Sequence, residues 1–432
     1  MTTYAEFLAR KQRQVRPAGR PVAEAEVHPM LHPWQRRIVA WAVQIGRAAL
    51  WEDTGLGKTF QQIEWARLSG DRSLIIAPLA VCHQTAREAA KLGVTARYAR
   101  GDEDAAGPGV WVTNYEMATH FDPDGLDAVV LDEASILKQS DGKTRTALIE
   151  HFATVPRRLA CTATPAPNDI EELTSQAEFL GVMPRTEMLA SYFVHDQDGW
   201  RLKGHARRPM FRWMASWAVA IRRPSDLGYT DDGYDLPGLD IEPHLLAVNV
   251  VPDGQLFATD LGGVTGRASI RRATLDARCA KTAALAAAEP GEPWIIWCAL
   301  NDEANRIASL IPGAVNVHGS LTPEEKAQAF LDFADGRIRV LITKTSIASF
   351  GMNWQHCARM AFCGLGDSYE QYYQAIRRCH RYGQNRRVHA HVILSQLEGQ
   401  IAENVARKER QAAELTAELV CEMQAAGELK AA

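Results

Sequence analysis

Short apolar runs alternate with stretches of helical period along most of the chain. This is the pattern of strands buried on both faces of a parallel sheet and joined by helices. The first half holds such runs at 48–52 (AALWE), 73–78 (SLIIAP), 109–116 (GVWVTNYE), 128–134 (AVVLDEA) and 157–165 (RRLACTATP), with helical stretches at 58–69 and 81–92. The second half repeats the style at 293–300, 314–319, 337–344, 359–364 and 388–394. Thr322-Pro323-Glu324-Glu325 predicts a helix start, with Thr322 as cap, Pro323 at the first helical position and Glu325 closing a capping box. The stretch 181–245 breaks the alternation and is rich in Trp, Arg, Gly and Pro, so it reads as an insertion plus linker. The expected class is α/β, with two parallel-sheet lobes. The expected division is a basic N-terminal segment at 1–25, a first lobe at 26–180, the insertion and linker at 181–245, a second lobe at 246–397 and a C-terminal helix at 398–432.

Composition narrows the picture. A chain of 432 residues with 46% hydrophobic and 23% charged positions is globular, not disordered or fibrous. No apolar run approaches the roughly 20 residues that span a bilayer. The N-terminus carries five Lys/Arg between Arg10 and Arg20 and no apolar core, so it does not read as a secretory signal. Together with the Ala- and Arg-rich composition, these features lead us to expect a cytoplasmic protein of a bacterial or phage-infected cell, with no membrane partner. The net charge of -4 leaves any nucleic-acid binding to local patches. Eight cysteines without a CxxC pair argue against a zinc ribbon or disulfide framework, and Cys82, Cys161 and Cys298 read as buried thiols.

The chemistry begins at Glu52-Asp53-Thr54-Gly55-Leu56-Gly57-Lys58-Thr59, which follows one expected strand and opens a helix. Glycines let backbone N–H groups curl around an anion. Lys58 would reach the β- and γ-phosphates of ATP, and the Thr59 hydroxyl would bind Mg²⁺. The general pattern has Gly six residues before the lysine, where this chain has Glu52. The competing reading is a Gly-rich turn with a surface lysine. Seventy-four residues after Lys58, the run 128–131 ends in Asp132-Glu133. Asp132 is placed to hold Mg²⁺, and Glu133 to orient or deprotonate the attacking water. Taken alone, such a pair is an ordinary solvated strand end.

With these residues in order, the chain resembles the superfamily 2 nucleic-acid-dependent ATPases, and among them the Snf-type ATPases, from about Leu31 to Ile393. Leu31-His32-Pro33-Trp34-Gln35 resembles the segment in which a glutamine, here Gln35, reads the adenine edge. Glu52-Asp53 is similar to the family's acidic pair before GLGKT. Asp132-Glu133-Ala134-Ser135 resembles the DEAH-like box, with Ser135 in place of histidine. Thr162-Ala163-Thr164-Pro165, with Asn168 and Glu172-Leu173, resembles the segment that couples nucleotide and nucleic-acid sites. His318-Gly319-Ser320 resembles the start of a stretch in which Lys326 replaces the usual arginine. Ser349-Phe350-Gly351-Met352-Asn353 is similar to the G-L-G-I-N segment. Gln374 through Gln384 resembles the Q-x-x-x-R-x-x-R-x-G-Q box, with Arg378, Arg381 and Gly383 in register. Ile221-Arg222-Arg223 and Gln255-Leu256-Phe257 are weaker matches.

The resemblance implies two RecA-like lobes joined by a linker with an inserted helical segment. It implies ATP and Mg²⁺ as cofactors, with Lys58, Asp132, Glu133, Arg378 and Arg381 catalytic and Thr59 and Asp132 at the metal. ATP would be bound by Gln35, Asp53, Thr54, Gly55, Leu56, Gly57, Lys58, Thr59, Gly351 and Gln374. Thr162, Thr164 and Asn353 would couple to or contact DNA. Arg378 and Arg381, three apart on a helix expected to begin near Ser368, would share a face and stabilise charge on the transferring phosphoryl group. The competing reading is an exposed arginine-rich helix, and His380 reads as solvated.

The implied activity is an ATP-dependent motor on duplex DNA, with protein partners supplying target choice. The alternatives are a strand-separating helicase or a nucleotide-gated DNA-binding subunit of a larger assembly. From Trp200 to Arg223 aromatics and arginines interleave. Phe211, Met214, Ala218 and Ile221 recur at helical spacing, which favours inward packing over a nucleic-acid groove.

Overall fold

The structure is a computed structural model that describes residues 15–138, 142–197, 199–247, 271–347, 353–366 and 368–426. It divides into two compact units. Asp232 closes the first stretch of one, Gly233 to Arg410 form the other, and Gln411 onward belongs again to the first.

The first unit is built on a seven-stranded parallel sheet. Its strands are β1 (Arg47–Glu52), β2 (Arg72–Ala77), β3 (Ala96–Tyr98), β4 (Gly109–Asn114), β5 (Ala128–Asp132), β6 (Arg157–Thr162) and, after an antiparallel hairpin of β7 (Phe193–Asp196) and β8 (Gly199–Leu202), β9 (Ala218–Ile221). The order across the sheet is β3-β4-β2-β5-β6-β1-β9. The central strands are buried along nearly their whole length because helices cover both faces, which is why they read as continuous apolar runs. The helix Lys58–Ser69 falls on the predicted residues and the helix Leu79–Lys91 begins two residues early.

The stretch 181–245 divides at Asp232. Ala218 pairs in parallel with Ala49, and Ile221 with Glu52, so β9 is an edge strand of the first sheet. The expected single stripe through Phe211, Met214, Ala218 and Ile221 is therefore a helix, Arg207–Met214, followed by a turn and a strand. All four side chains are buried, as the spacing suggested, but a four-residue apolar run does not distinguish helix from strand by period. Trp213 and Trp217 are buried too, and Tyr192, Trp213, Trp217 and Trp51 form a chain of ring contacts.

The end of the C-terminal helix, Gly399–Ala426, packs on this unit. Leu415, Leu419 and Val420 are buried, Arg207 pairs with Glu418 at 2.7 Å, and Arg208 with Glu422 at 2.8 Å. Arg201, Arg222 and Arg223 also face carboxylates, on Asp196, Asp226 and Asp231, so the arginines of 200–223 are largely matched by acids.

The second unit holds a six-stranded parallel sheet of β10 (Leu239–Leu246), β11 (Trp294–Cys298), β12 (Val315–Val317), β13 (Val340–Lys344), β14 (Arg359–Cys363) and β15 (Val388–Ser395), in the order β10-β15-β14-β11-β13-β12. Its core packs Trp294, Ile296, Ile342, Ala361 and Ile393 against Cys279, Ala283 and Ile307 of the flanking helices. Arg278 and Glu303 form a fully buried pair at 2.5 Å. The predicted capping box exists: the Glu325 amide donates to the Thr322 hydroxyl at 3.2 Å, and the Thr322 amide to the Glu325 carboxylate at 2.8 Å. Among the described residues no helix is long and apolar enough to cross a membrane.

Candidate nucleotide site

Strands β5, β6 and β1 are neighbours, and their carboxyl ends are Asp132, Thr162 and Glu52. The three motif segments of the first half therefore converge on one sheet edge, where open α/β sheets bind ligands. The loop 53–57 leaves β1 and turns into the helix Lys58–Ser69 through Gly55 (φ +88°) and Gly57 (φ +78°), both left-handed. A Cβ on Gly57 would lie 2.5 Å from the Gln35 amide nitrogen, so a side chain here would displace that amide as well as strain the backbone. Gln35 is buried. Its amide donates to the Leu56 carbonyl at 2.8 Å and its carbonyl accepts from the His32 amide at 2.8 Å, which ties the helix Pro33–Ile45 to the loop. The Lys58 ammonium donates to the Glu52 and Asp53 carbonyls at 2.6 and 3.0 Å. The Asp53 side chain accepts from the Thr54 amide at 2.6 Å.

The acids are held by neutral donors. Glu52 is fully buried and accepts from Gln61 at 2.7 Å. Burial pushes its carboxyl up to about 7 against the pull of Lys58 and Gln61. Asp132 accepts from Gln62 at 2.7 Å, and burial raises its carboxyl while Gln62 and Lys58 oppose the rise. Glu133 is the sole non-glycine with positive φ among the described residues, at +57°. Such a backbone in a non-glycine residue is strained, on the order of 1 kcal/mol, and strain of this kind clusters at functional sites. The twist directs the Glu133 carboxylate to the Thr162 hydroxyl, 3.4 Å away, and that hydroxyl also accepts from the Thr164 amide at 3.1 Å. Gln176 links the segment to β1, donating to the Pro165 carbonyl and accepting from the Trp51 indole, both at 2.8 Å. Asn168 binds Glu172 through its amide and side chain, and burial raises the Glu172 carboxyl.

Sequence reasoning missed Gln61, Gln62, Gln176 and Tyr115, whose hydroxyl donates to the Asp132 carbonyl. A signal existed for two of them. Gln61 and Gln62 are consecutive polar residues on a helix buried from Gln61 to Ala66, and buried amides need partners.

The second unit holds the remaining candidates. Ser368 caps the helix Tyr369–Ile376, and the chain then turns, so Arg378 and Arg381 lie beyond the helix and not on a shared helical face. The turn is stapled by buried Gln384, which donates to the Cys357 and Cys379 carbonyls at 3.1 and 3.2 Å and accepts from the Asn385 and Arg386 amides at 3.1 and 2.9 Å. Gly383 adopts φ +89° within it. Arg378 is buried, and burial pulls the Arg381 guanidinium down. His380 is buried rather than solvated, 2.7 Å from the Pro237 carbonyl. Gln374 is half-buried on the helix and Asn353 is exposed. Lys326 donates to the Gly319 carbonyl at 2.7 Å. Ser349, Phe350, Gly351, Met352 and the segment Gln255-Leu256-Phe257 lie outside the described residues.

The donor set suits a nucleotide. Lys58 ends on backbone carbonyls of a glycine loop at a helix start, where an anion gains from both the ammonium and the helix dipole. It suits a divalent cation too: Asp132 is a buried carboxylate served by one neutral amide, with the Thr59 hydroxyl in the first turn of the adjoining helix.

Residues 34–193 match the SNF2-related domain, and residues 278–383 match the helicase conserved C-terminal domain. The chain is thus an SNF2-related member of the superfamily 2 helicase-like ATPases, an ATP-hydrolysing, nucleic-acid-dependent enzyme. Among solved structures it is similar to the Sulfolobus solfataricus SWI2/SNF2 ATPase core in complex with dsDNA. The identity is 19%, 92% of this chain and 96% of that chain are covered, and the TM-score is 0.44. No curated protein matches.

Proposed function

We propose that the chain is a translocase that couples Mg-ATP hydrolysis to movement along the backbone of duplex DNA. The observation that carries this reading is the convergence of Lys58, Asp132, Glu133 and Thr162 at the carboxyl ends of three adjacent strands. Lys58 and the 53–57 loop bind the phosphates. Glu133 orients the attacking water and takes its proton. Thr59 and Asp132 would hold Mg²⁺, which when bound polarises the phosphoryl oxygens. Arg378 and Arg381 are assigned to the charge that builds on the transferring group, on the strength of the sequence resemblance. The Thr162 hydroxyl touches both Glu133 and the Thr164 amide, so a shift at Thr164-Pro165 would be felt at the water-activating carboxylate; Thr162 and Thr164 are assigned to coupling on this ground.

Duplex DNA is preferred because the motifs resemble those of Snf-type ATPases, and backbone tracking needs no base readout. The test is displacement of a third strand from a triplex. The full chain with ATP and Mg²⁺ should displace it and leave a tailed duplex paired.

One observation favours the helicase alternative. The β7–β8 hairpin carries Val194, 37% exposed, and half-buried Trp200, whose ring meets His195 edge-on at 4.9 Å. Apolar hairpins can act as wedges between bases. Strand separation by the full chain that is lost in Trp200→Ala would establish this second reading.

A further inference from the structure

Strands β10 and β15 pair in parallel with Asp240 opposite His389 and Glu242 opposite His391. Side chains alternate along a strand, so Asp240, Glu242 and His244 share one face with His389 and His391. Sheet pairing thus gathers residues almost 150 positions apart into a cluster that the nucleotide chemistry does not use. The His244 Nε2 lies 3.1 Å from the His391 Nδ1, and that same nitrogen lies 3.2 Å from a Glu242 carboxylate oxygen. One ligand atom from each of the three residues lies within 4.8 Å of the others.

We propose that Glu242, His244 and His391 form a binding site for one first-row transition cation of the zinc class on the edge of the second sheet. Tetrahedral zinc with bonds of about 2.0–2.1 Å separates its ligand atoms by roughly 3.3 Å, close to the spacings found. Two imidazoles and one carboxylate select against magnesium and calcium, which take oxygen ligands. The groups are also held for the task. His391 is buried and stacks on Trp294, with ring centroids 5.6 Å apart, which fixes its ring. His389 Nδ1 lies 3.1 Å from the other Glu242 oxygen and positions the carboxylate from behind. Arg387 binds Asp240 at 2.8 Å, so Asp240 is engaged elsewhere. The cation would clamp the edge strand β10 to β15.

The experiment uses the tag-free full chain under reducing conditions without nucleotide. ZnCl₂ is titrated against a chromophoric chelator, and thermal unfolding is followed in parallel. One equivalent of Zn²⁺ should bind and raise the melting temperature. His244→Ala and Glu242→Gln should each weaken that equivalent by about 10–100-fold and remove the thermal shift while ATP hydrolysis stays unchanged. Cys421→Ser controls for the one exposed cysteine and should bind as the parent does. The same affinity and thermal shift in His244→Ala and Glu242→Gln as in the parent would overturn the proposal, as would no binding by the parent.

Discussion

The carboxyl edges of the two parallel sheets carry different chemistry. In the first unit the ends of β1, β5 and β6 gather a lysine, three carboxylates and the Thr162 hydroxyl, each held by its own hydrogen bonds. In the second, the ends of β11, β13 and β14 border a cavity of about 220 Å³. Arg271, Lys344, Ser368 and Gln371 line it, and none of its lining residues is a carboxylate. On the proposed reading the first edge has an acid to take a proton, an acid to hold a cation and a cation for phosphate. The second is lined by Lys344, neutral polar groups and an Arg271 already paired with Glu398, a set that suits an anion and not water activation. The same fold thus carries acids and a lysine at one edge and an anion-suited cavity at the other, according to which side chains stand at the strand ends.

The largest effects are expected at the first edge and at the arginines assigned to the transferring group. Lys58→Ala should abolish hydrolysis in a phosphate-release assay, and near-wild-type turnover would remove the phosphate-loop assignment. Arg381→Ala, in the turn stapled by Gln384, should lower turnover about 10³-fold or more if the guanidinium meets transition-state charge. An unchanged rate would confine catalysis to the first unit. Glu133→Gln should lower hydrolysis by about 10²–10⁴ while ATP binding, followed by a fluorescent analogue, persists. Loss of binding would make Glu133 a structural residue. If the second-edge cavity holds a DNA phosphate, Lys344→Ala should leave basal hydrolysis intact and weaken nucleic-acid stimulation several-fold, with the salt slope reduced by about 1.

A separate effect is on stability. The folded-state value of Glu52, about 7, lies above the ordinary 4.5, so the folded chain binds more protons than the unfolded one between them. Its stability therefore falls as pH rises through that window. Glu52→Gln should flatten the slope and stabilise the protein at pH 8 by on the order of 2 kcal/mol, read by urea unfolding at several pH values. An unaltered pH slope would place the Glu52 charge in solvent or fully offset by Lys58.

Much of the contrast is legible in the sequence, because apolar runs ending in charged residues mark where buried strands meet solvent. The strand before Asp132 and the helix after Gly57 follow from period and punctuation alone. Other features depend on contacts that sequence separation hides. β9 is a strand because Ala49 and Glu52 offer a free ladder edge, not because of its own pattern. Arg378 and Arg381 have helical spacing, yet Gln384 folds the chain into a turn around its amide. The left-handed backbone at Glu133 has no glycine to announce it. The Glu242–His391 cluster arises from strand register, which no local window contains.

The central claim is that this chemistry is harnessed to duplex DNA. It is tested most directly by ATP turnover of the full chain with Mg²⁺ and no nucleic acid, single-stranded DNA, duplex DNA or RNA, measured in parallel. The expected result is a low basal rate raised most by the duplex, with the stimulation falling steeply as salt is added. The contradicting result is a rate raised most by single strands or RNA, or one that no nucleic acid changes.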